Sequence, residues 1–382
     1  MLLADDVGIM RLAIVGCGYV ADYYFRTLPL HPDLTVVGIC DRDRSRMANL
    51  AAHYSVGHQY DDVAEVCSDP TVDMVVNLTN PKDHYEVSWA ALGAGKHVYS
   101  EKPLAMQMEH ARELASLATS SGLQLSSAPC SILGETAQTV WKALREQRVG
   151  RVRLVYAEMD DGLVHKMPYT KWLSMSGTPW PFRDEFEVGC TLEHAGYYTT
   201  WLTTFFGPAV SVSAFSAPLI PDKGVTVSVV SPDFSVACIT FASGVVARLT
   251  CGIVGAHDHS MRIFGDDGTI EVPDSWFYGS PVTIRKSLNV WRKRLEGKLV
   301  RKVPLVRLPT KFDYRGAQQM DFARGIAEVA ESIRDERPSR LATDFCLHNN
   351  ELVLAIAEAS VRAMPYEMTT TFVPTTPMTW AQ

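Results

Sequence analysis

The sequence lacks the marks of three large protein classes. It has no basic excess: 36 Lys and Arg stand against 43 Asp and Glu, a formal charge of −7, so the chain as a whole is not built to hold nucleic acid by charge. No apolar run approaches the roughly 20 residues that span a bilayer, and no membrane partner is expected. Residues 1–10 include Asp5 and Asp6 and lack a basic stretch followed by a long apolar one, so no secretory signal is read there. No CxxC pair occurs among the eight cysteines, Cys17, Cys40, Cys67, Cys130, Cys190, Cys238, Cys251 and Cys346. Most sit in apolar runs, which predicts reduced, buried thiols in a cytoplasmic protein rather than a disulfide frame or a zinc site. Internal repeats and low-complexity segments are absent as well.

What is present is a chain of 382 residues, 47% of them hydrophobic, enough for two packed domains. Residues 11–16, 34–40, 73–78, 97–100 and 124–127 are short apolar runs, separated by helical stretches near 20–28, 44–54, 84–94 and 108–120. Strands and helices alternating at this spacing predict an α/β fold, a Rossmann-type doubly wound parallel sheet over residues 10–129. Beyond Pro129 the texture changes. Helices are expected at 136–146, 191–205, 317–334 and 344–364. Strands are expected at 152–159, 209–215, 224–230, 234–241, 245–252, 259–264 and 269–272, most joined by short Gly, Asp and Pro turns. This predicts an α+β domain over 130–382 with a large, open, mostly antiparallel sheet for substrate binding and oligomerisation.

Gly16-Cys17-Gly18-Tyr19-Val20-Ala21 reads GxGxxA between the first strand and the first helix. The first glycine permits the tight turn, the second lets the backbone approach a pyrophosphate, and the small alanine lets helix and strand pack closely. Free N–H groups and the positive end of the helix then face the phosphates. Asp41 ends the second strand, 25 residues after Gly16. A carboxylate there accepts hydrogen bonds from ribose hydroxyls and repels a 2′-phosphate, which favours NAD. Arg42 and Arg44 beside it keep NADP open.

Residues 96–105 read KHVYSEKPLA. Together with GCGYVA, NLTNPKDH and DEFEVGCTLEHAGYY, they resemble the Gfo/Idh/MocA family of oxidoreductases over about Met10 to Met364. The resemblance implies hydride transfer between a nicotinamide and a hydroxyl or carbonyl of a sugar, polyol or related compound. By family position, Thr79, Asn80, Pro81 and His84 line the nicotinamide ribose side, His84 being equally readable as a capping or packing residue, and Ser127 to Cys130 border the nicotinamide. Lys102 stands at the C-terminal end of a parallel strand, where ligands bind in such sheets. Its ammonium can stabilise negative charge growing on a reacting oxygen. Glu101 is placed to orient Lys102 or to contact the ribose. Pro103 fixes the turn, through a peptide bond that is often cis in the family.

The family carries a D-x-G-x-H pattern at the start of a later helix. Aligned backwards from Phe205-Phe206-Gly207, it falls on Glu193, Ala195 and Tyr197, a departure at each of its three positions. Glu193 and Tyr197 are four apart and share a helix face. Tyr197 is the expected acid/base, its phenol made more acidic by an ammonium such as that of Lys102. His194 is the rival, about 100° around the helix from Glu193. Arg183 and Asp184 match a family pair expected at the substrate. His257 and His259 share a strand face, but no third ligand is visible, so no metal is assigned. Residues 285–311 hold ten Lys and Arg against one acid, Glu296, with Trp291 among them. They read as a solvated insertion or as an anion- or partner-binding arm.

The leading functional reading is therefore an NAD(P)-dependent dehydrogenase or reductase. Two others stand beside it: a lyase or glycosidase that oxidises its substrate transiently, and a non-catalytic nicotinamide-binding regulator. A homodimer or homotetramer is expected, because 225–230 and 236–239 carry apolar residues on both alternations and leave a sheet face to cover. The resemblance points the same way.

Overall fold

A computed structural model describes residues 8–307, 314–316 and 318–382. Residues 1–7, residues 308–311 of the basic segment and Ala317 at the head of one expected helix lie outside the described residues. Contacts divide the chain into two compact units. One holds the residues up to Cys130 with Pro168–Asp184 and Asp321–Asn350; the other holds Ser131–Met167, Glu185–Met320 and Glu351–Gln382.

In the first unit β1 (Met10–Val15), β2 (Leu34–Cys40), β3 (Met74–Asn77), β4 (His97–Ser100) and β5 (Leu125–Ser127) form the expected parallel sheet, in the order β2-β1-β3-β4-β5. β3 is buried along its whole length. Its continuous Met-Val-Val run is what a strand covered on both faces selects. The chain leaves β1 for β2 on one side and returns to β3 on the other. The loops after β1 and β3 therefore diverge and open a crevice at the carboxyl ends of the strands.

Two later segments are stitched onto this sheet. Asp22, buried in the first turn of the helix Ala21–Thr27, accepts hydrogen bonds from Tyr54 Oη at 2.8 Å and from Ser176 Oγ at 2.7 Å. Glu328, on the helix Arg324–Arg334, has a fully buried side chain. It accepts from Arg337 Nη1 at 2.7 Å, Arg340 Nη1 at 2.7 Å and the Arg340 main-chain N–H at 2.9 Å.

The second unit is built on nine strands: β6 (Val152–Asp160), β7 (Ala209–Ala217), β8 (Phe234–Phe241), β9 (Val246–Gly252), β10 (Met261–Gly265), β11 (Gly268–Val272), β12 (Val282–Val290), β13 (Lys293–Val303) and β14 (Tyr366–Glu367). Their order is β13-β12-β11-β10-β6-β9-β8-β7-β14. β6 and β9 run parallel and the remaining pairs are antiparallel. On β6, Val155, Ala157 and Met159 are buried. The alternate residue Tyr156 packs under the Arg248 guanidinium, 4.2 Å from the ring centroid.

The structure corrects several expectations. Residues 224–230 are not a strand. Gly224 has a φ of +77°, and the Ser228 N–H goes to the Glu187 carboxylate at 2.8 Å instead of to a neighbouring strand. The helix expected at 317–334 starts at Arg324, and the last helix is Thr343–Ala357. The basic segment contributes the β12–β13 hairpin, which sequence reading missed because charge masks its alternation. Pairing with β11 stops at Lys286, and the fully exposed Trp291 turns the hairpin tip with a φ of +56°.

Glu328 gives a direct test of the first unit. Glu328→Ala removes the carboxylate shared by the buried Arg340 and by Arg337, which keeps Glu331 at 3.4 Å, and breaking a buried pair costs about 3–5 kcal/mol. Denaturant unfolding should report a loss of that order; a loss near zero would show that the arginines find water instead.

Candidate active site

In the first unit, the loops after β1, β2 and β3 enclose a cleft of about 340 Å³ walled by Gly16, Gly18, Asp41, Arg42, Thr79 and Asn80, among others. Gly16 has a φ of +101°, and a methyl group on it would lie 2.5 Å from the Leu78 carbonyl. Only glycine fits both demands. A methyl group on Gly18 would meet nothing within 4 Å, so the backbone there stays open to the cleft. Ala21 is fully buried under the loop, and Tyr19 and Val20 are half-buried.

Asp41 is held by the loop it was expected to serve. One carboxylate oxygen accepts the Cys17 N–H at 2.7 Å and the other accepts the Asp43 N–H at 2.8 Å. Burial, then Asp41, push the Cys17 thiol far above its usual range, so it is inert packing. Arg42 pairs with Asp83 on the cleft wall. Arg44 turns away to Asp61, at 2.9 Å. The wall instead carries Arg46, whose guanidinium is 3.8 Å from Asp41. Its place two residues beyond Arg44, inside a helix, gave no sequence signal.

At the end of β3, Asn77 organises the next loop. Its side-chain oxygen accepts Thr79 Oγ1 at 2.6 Å, and its amide donates to the His84 carbonyl at 3.0 Å. Pro81 opens a single 3-10 turn, Pro81–Asp83. Asn80 donates to Asp184 at 2.8 Å, which brings one member of the Arg183-Asp184 pair to this loop. Arg183 is exposed over the Phe182 ring. His84 is fully buried, with Nδ1 2.7 Å from the Pro103 carbonyl and Nε2 3.0 Å from the Thr79 carbonyl. Burial lowers its pKa. It braces two loops from behind the cleft wall, the packing reading rather than the ribose contact.

After β4 comes the Glu101-Lys102-Pro103 turn, with a cis peptide bond before Pro103. Glu101 is buried. It accepts Tyr24 Oη at 2.7 Å and the Lys102 main-chain N–H at 3.0 Å. The acid thus fixes the backbone from which the half-buried Lys102 side chain springs.

In the second unit the expected helix 191–205 divides into Cys190–His194 and Gly196–Phe206. At the join the Tyr198 N–H reaches the Ala195 carbonyl three residues back, at 3.1 Å, and Gly196 supplies the weak point. Glu193, His194 and Tyr197 are all buried. His194 Nδ1 lies 2.7 Å from Asp161 and Nε2 3.0 Å from Glu185. Burial alone would lower its pKa, but the two carboxylates outweigh burial and hold it well above the usual histidine value. Asp161 also meets His259 Nε2 at 2.7 Å. Burial would raise the Asp161 pKa; His194 and His259 bring it far below the carboxylate range.

Sequence reading missed Asp161, Glu185, Asp274 and Trp276. Isolated bridges between Asp160 and Asp258, and between His259 and Asp274, bring their segments together. The Trp276 ring packs edge-on against Tyr197 at 5.0 Å and against His259 at 4.6 Å. An Asp160-Asp161 pair closing a strand just before Gly162 was the one available signal.

A switch-point crevice with a glycine loop, and an acid at the end of β2, define a nicotinamide-dependent dehydrogenase on a Rossmann domain. The donors and the open backbone at Gly18 fit a dinucleotide. The chain belongs to the Gfo/Idh/MocA family of oxidoreductases: residues 10–128 match its NAD-binding Rossmann fold and residues 137–271 match a Gfo/Idh/MocA C-terminal domain. It is 24% identical to the mouse trans-1,2-dihydrobenzene-1,2-diol dehydrogenase over 271 residues, 70% of this chain and 75% of that one. An NAD-binding oxidoreductase from Klebsiella pneumoniae superposes with a TM-score of 0.78 at 18% identity, covering 95% of this chain and 100% of the other. Aldose-aldose oxidoreductase from Caulobacter crescentus gives 0.73 at 18% identity, over 92% and 97%. Among the described residues no helix is long and apolar enough to cross a membrane.

Gly16→Ala tests the cleft. The methyl group must displace the Leu78–Thr79 backbone, so dinucleotide affinity should fall by roughly tenfold or more, about 1.4 kcal/mol. Nucleotide titration followed by protein fluorescence reads it; unchanged affinity would mean the loop relaxes freely.

Proposed function

We propose that this oxidoreductase moves a hydride to or from a hydroxyl-bearing carbon of a sugar, polyol or sugar-derived substrate, with NAD as the preferred cofactor. The observation that carries the reading is the Glu101-Lys102-Pro103 turn, whose backbone Glu101 holds at a strand end of the dinucleotide domain. Bound nicotinamide supplies or accepts the hydride. Lys102 donates a charged hydrogen bond to the substrate oxygen and stabilises it as negative charge grows. Tyr197 gives or takes that oxygen's proton. His194 suits this task less well, because Asp161 and Glu185 lie against its two nitrogens and raise its pKa. The mouse relative's name specifies a vicinal diol and the Caulobacter structure an aldose, which supports a polyhydroxylated substrate. Asp41 at the cleft supports NAD over NADP.

All eight cysteines are free, which supports a reducing, cytoplasmic location. Self-association through the nine-stranded sheet is supported by Val210 and Phe215, exposed on β7.

A screen of polyols, free sugars and nucleotide sugars with NAD and NADP tests the reading through the reduced-nicotinamide absorbance. Product formed from substoichiometric NAD without net reduction would move the assignment to transient oxidation; no turnover with any substrate would move it to a binding role. Lys102→Met should lower kcat by ~10²–10³ while leaving dinucleotide affinity nearly intact. A kcat within a few fold of the parent removes Lys102 from the chemistry.

The two acid/base candidates are ranked by a pair of variants. Tyr197→Phe should cost at least about tenfold more in kcat than His194→Gln, since proton transfer by a placed side chain is worth ~10²–10⁴ in rate. The reverse order would transfer the role to His194.

A further inference from the structure

We propose that Asp161, His257 and His259 form a binding site for a divalent transition-metal ion of the zinc class. One donor atom from each of the three lies within 4.8 Å of the other two. Two imidazoles and a carboxylate are the ligand set that zinc-class ions take when three protein groups bind and one position stays open.

The site is built as metal sites are, with each inner ligand fixed by a partner behind it. His259 is buried and has Asp274 3.7 Å from Nδ1, on the side away from Asp161. That arrangement directs Nε2 toward the site. The second oxygen of Asp161 lies against His194, which Glu185 holds from its other nitrogen. The Tyr198 hydroxyl donates to the His259 carbonyl at 2.6 Å and fixes its backbone. The third ligand, His257, is exposed and lies beside His259 with ring centroids 4.3 Å apart and the rings tilted by 57°. It provides the entry path from solvent.

Distance does not oppose the assignment. Asp161 Oδ1 and His259 Nε2 are 2.7 Å apart. Bonds of about 2.0–2.2 Å in a tetrahedron separate two donors by roughly 3.3 Å. A small rotation of Asp161 opens that gap and exchanges one hydrogen bond for two coordinate bonds.

This assignment is independent of the hydride-transfer reading, and its test does not use activity. The untagged full chain, stripped with chelator, is titrated with cobalt(II) and then zinc(II), followed by calorimetry and by the visible d–d absorption of cobalt. The expected result is one ion per chain, with the intense visible bands of four-coordinate cobalt that zinc displaces. His257→Ala changes an exposed side chain and leaves the core alone; it should weaken binding by roughly a hundredfold. Asp161→Asn, checked for native circular dichroism, should do the same. Absence of saturable binding at micromolar metal overturns the proposal. So does binding that survives His257→Ala unchanged.

Discussion

At the end of β1 the main chain of Gly16 passes so close to Leu78 that a methyl group on it would sit 2.5 Å from the carbonyl carbon. That approach of two backbones sets the crevice. It requires β1 and β3 to be neighbours, as the sheet order provides, and it requires a residue without a side chain at a positive φ. Asp41 then reaches the Cys17 N–H from the neighbouring strand, so loop and acid are one hydrogen-bonded unit. Asn77, Thr79 and His84 fix the opposite wall. The candidate cofactor cleft is thus rigid backbone first and side chains second, the order in which a site for a large, polar ligand is preorganised.

The second unit solves a different problem. Here carboxylates and imidazoles are buried together, and burial raises the cost of every unpaired charge. Asp161 is the centre: His194 on one oxygen, His259 on the other. His194 lies between Asp161 and Glu185, and the two carboxylates outweigh burial in raising its pKa. Trp276 meets His194, His259 and Tyr197 edge-on.

Much of the first unit was legible because its information is local. Each Rossmann strand is a short apolar run, and GxGxxA and Glu-Lys-Pro carry their chemistry in consecutive residues. The misses have local causes too. The Val225–Val230 run alternates like a strand, but Gly224 and Pro232 bracket it and Glu187 captures its backbone. The β12–β13 hairpin alternates as well, with lysines and arginines where a strand would ordinarily show a cleaner pattern. Arg44 and Arg46 lie two apart on a helix, so one leaves the cleft where the other enters it.

The amino-acid order by itself determined the parallel α/β sheet and the mostly antiparallel second sheet, the glycine loop after β1, Asp41 at its strand end and the lysine turn after β4. These follow from periodicity and from residues adjacent in the chain. Tertiary structure alone decided what surrounds His194. Asp161, Glu185, the His257–His259 stretch and Asp274 are far apart in sequence; Glu185 comes from the helix Phe182–Val188, and cross-strand register joins the others. The Asp160–Asp258 and His259–Asp274 bridges set that register, and a shift of one residue would turn each side chain to the opposite face.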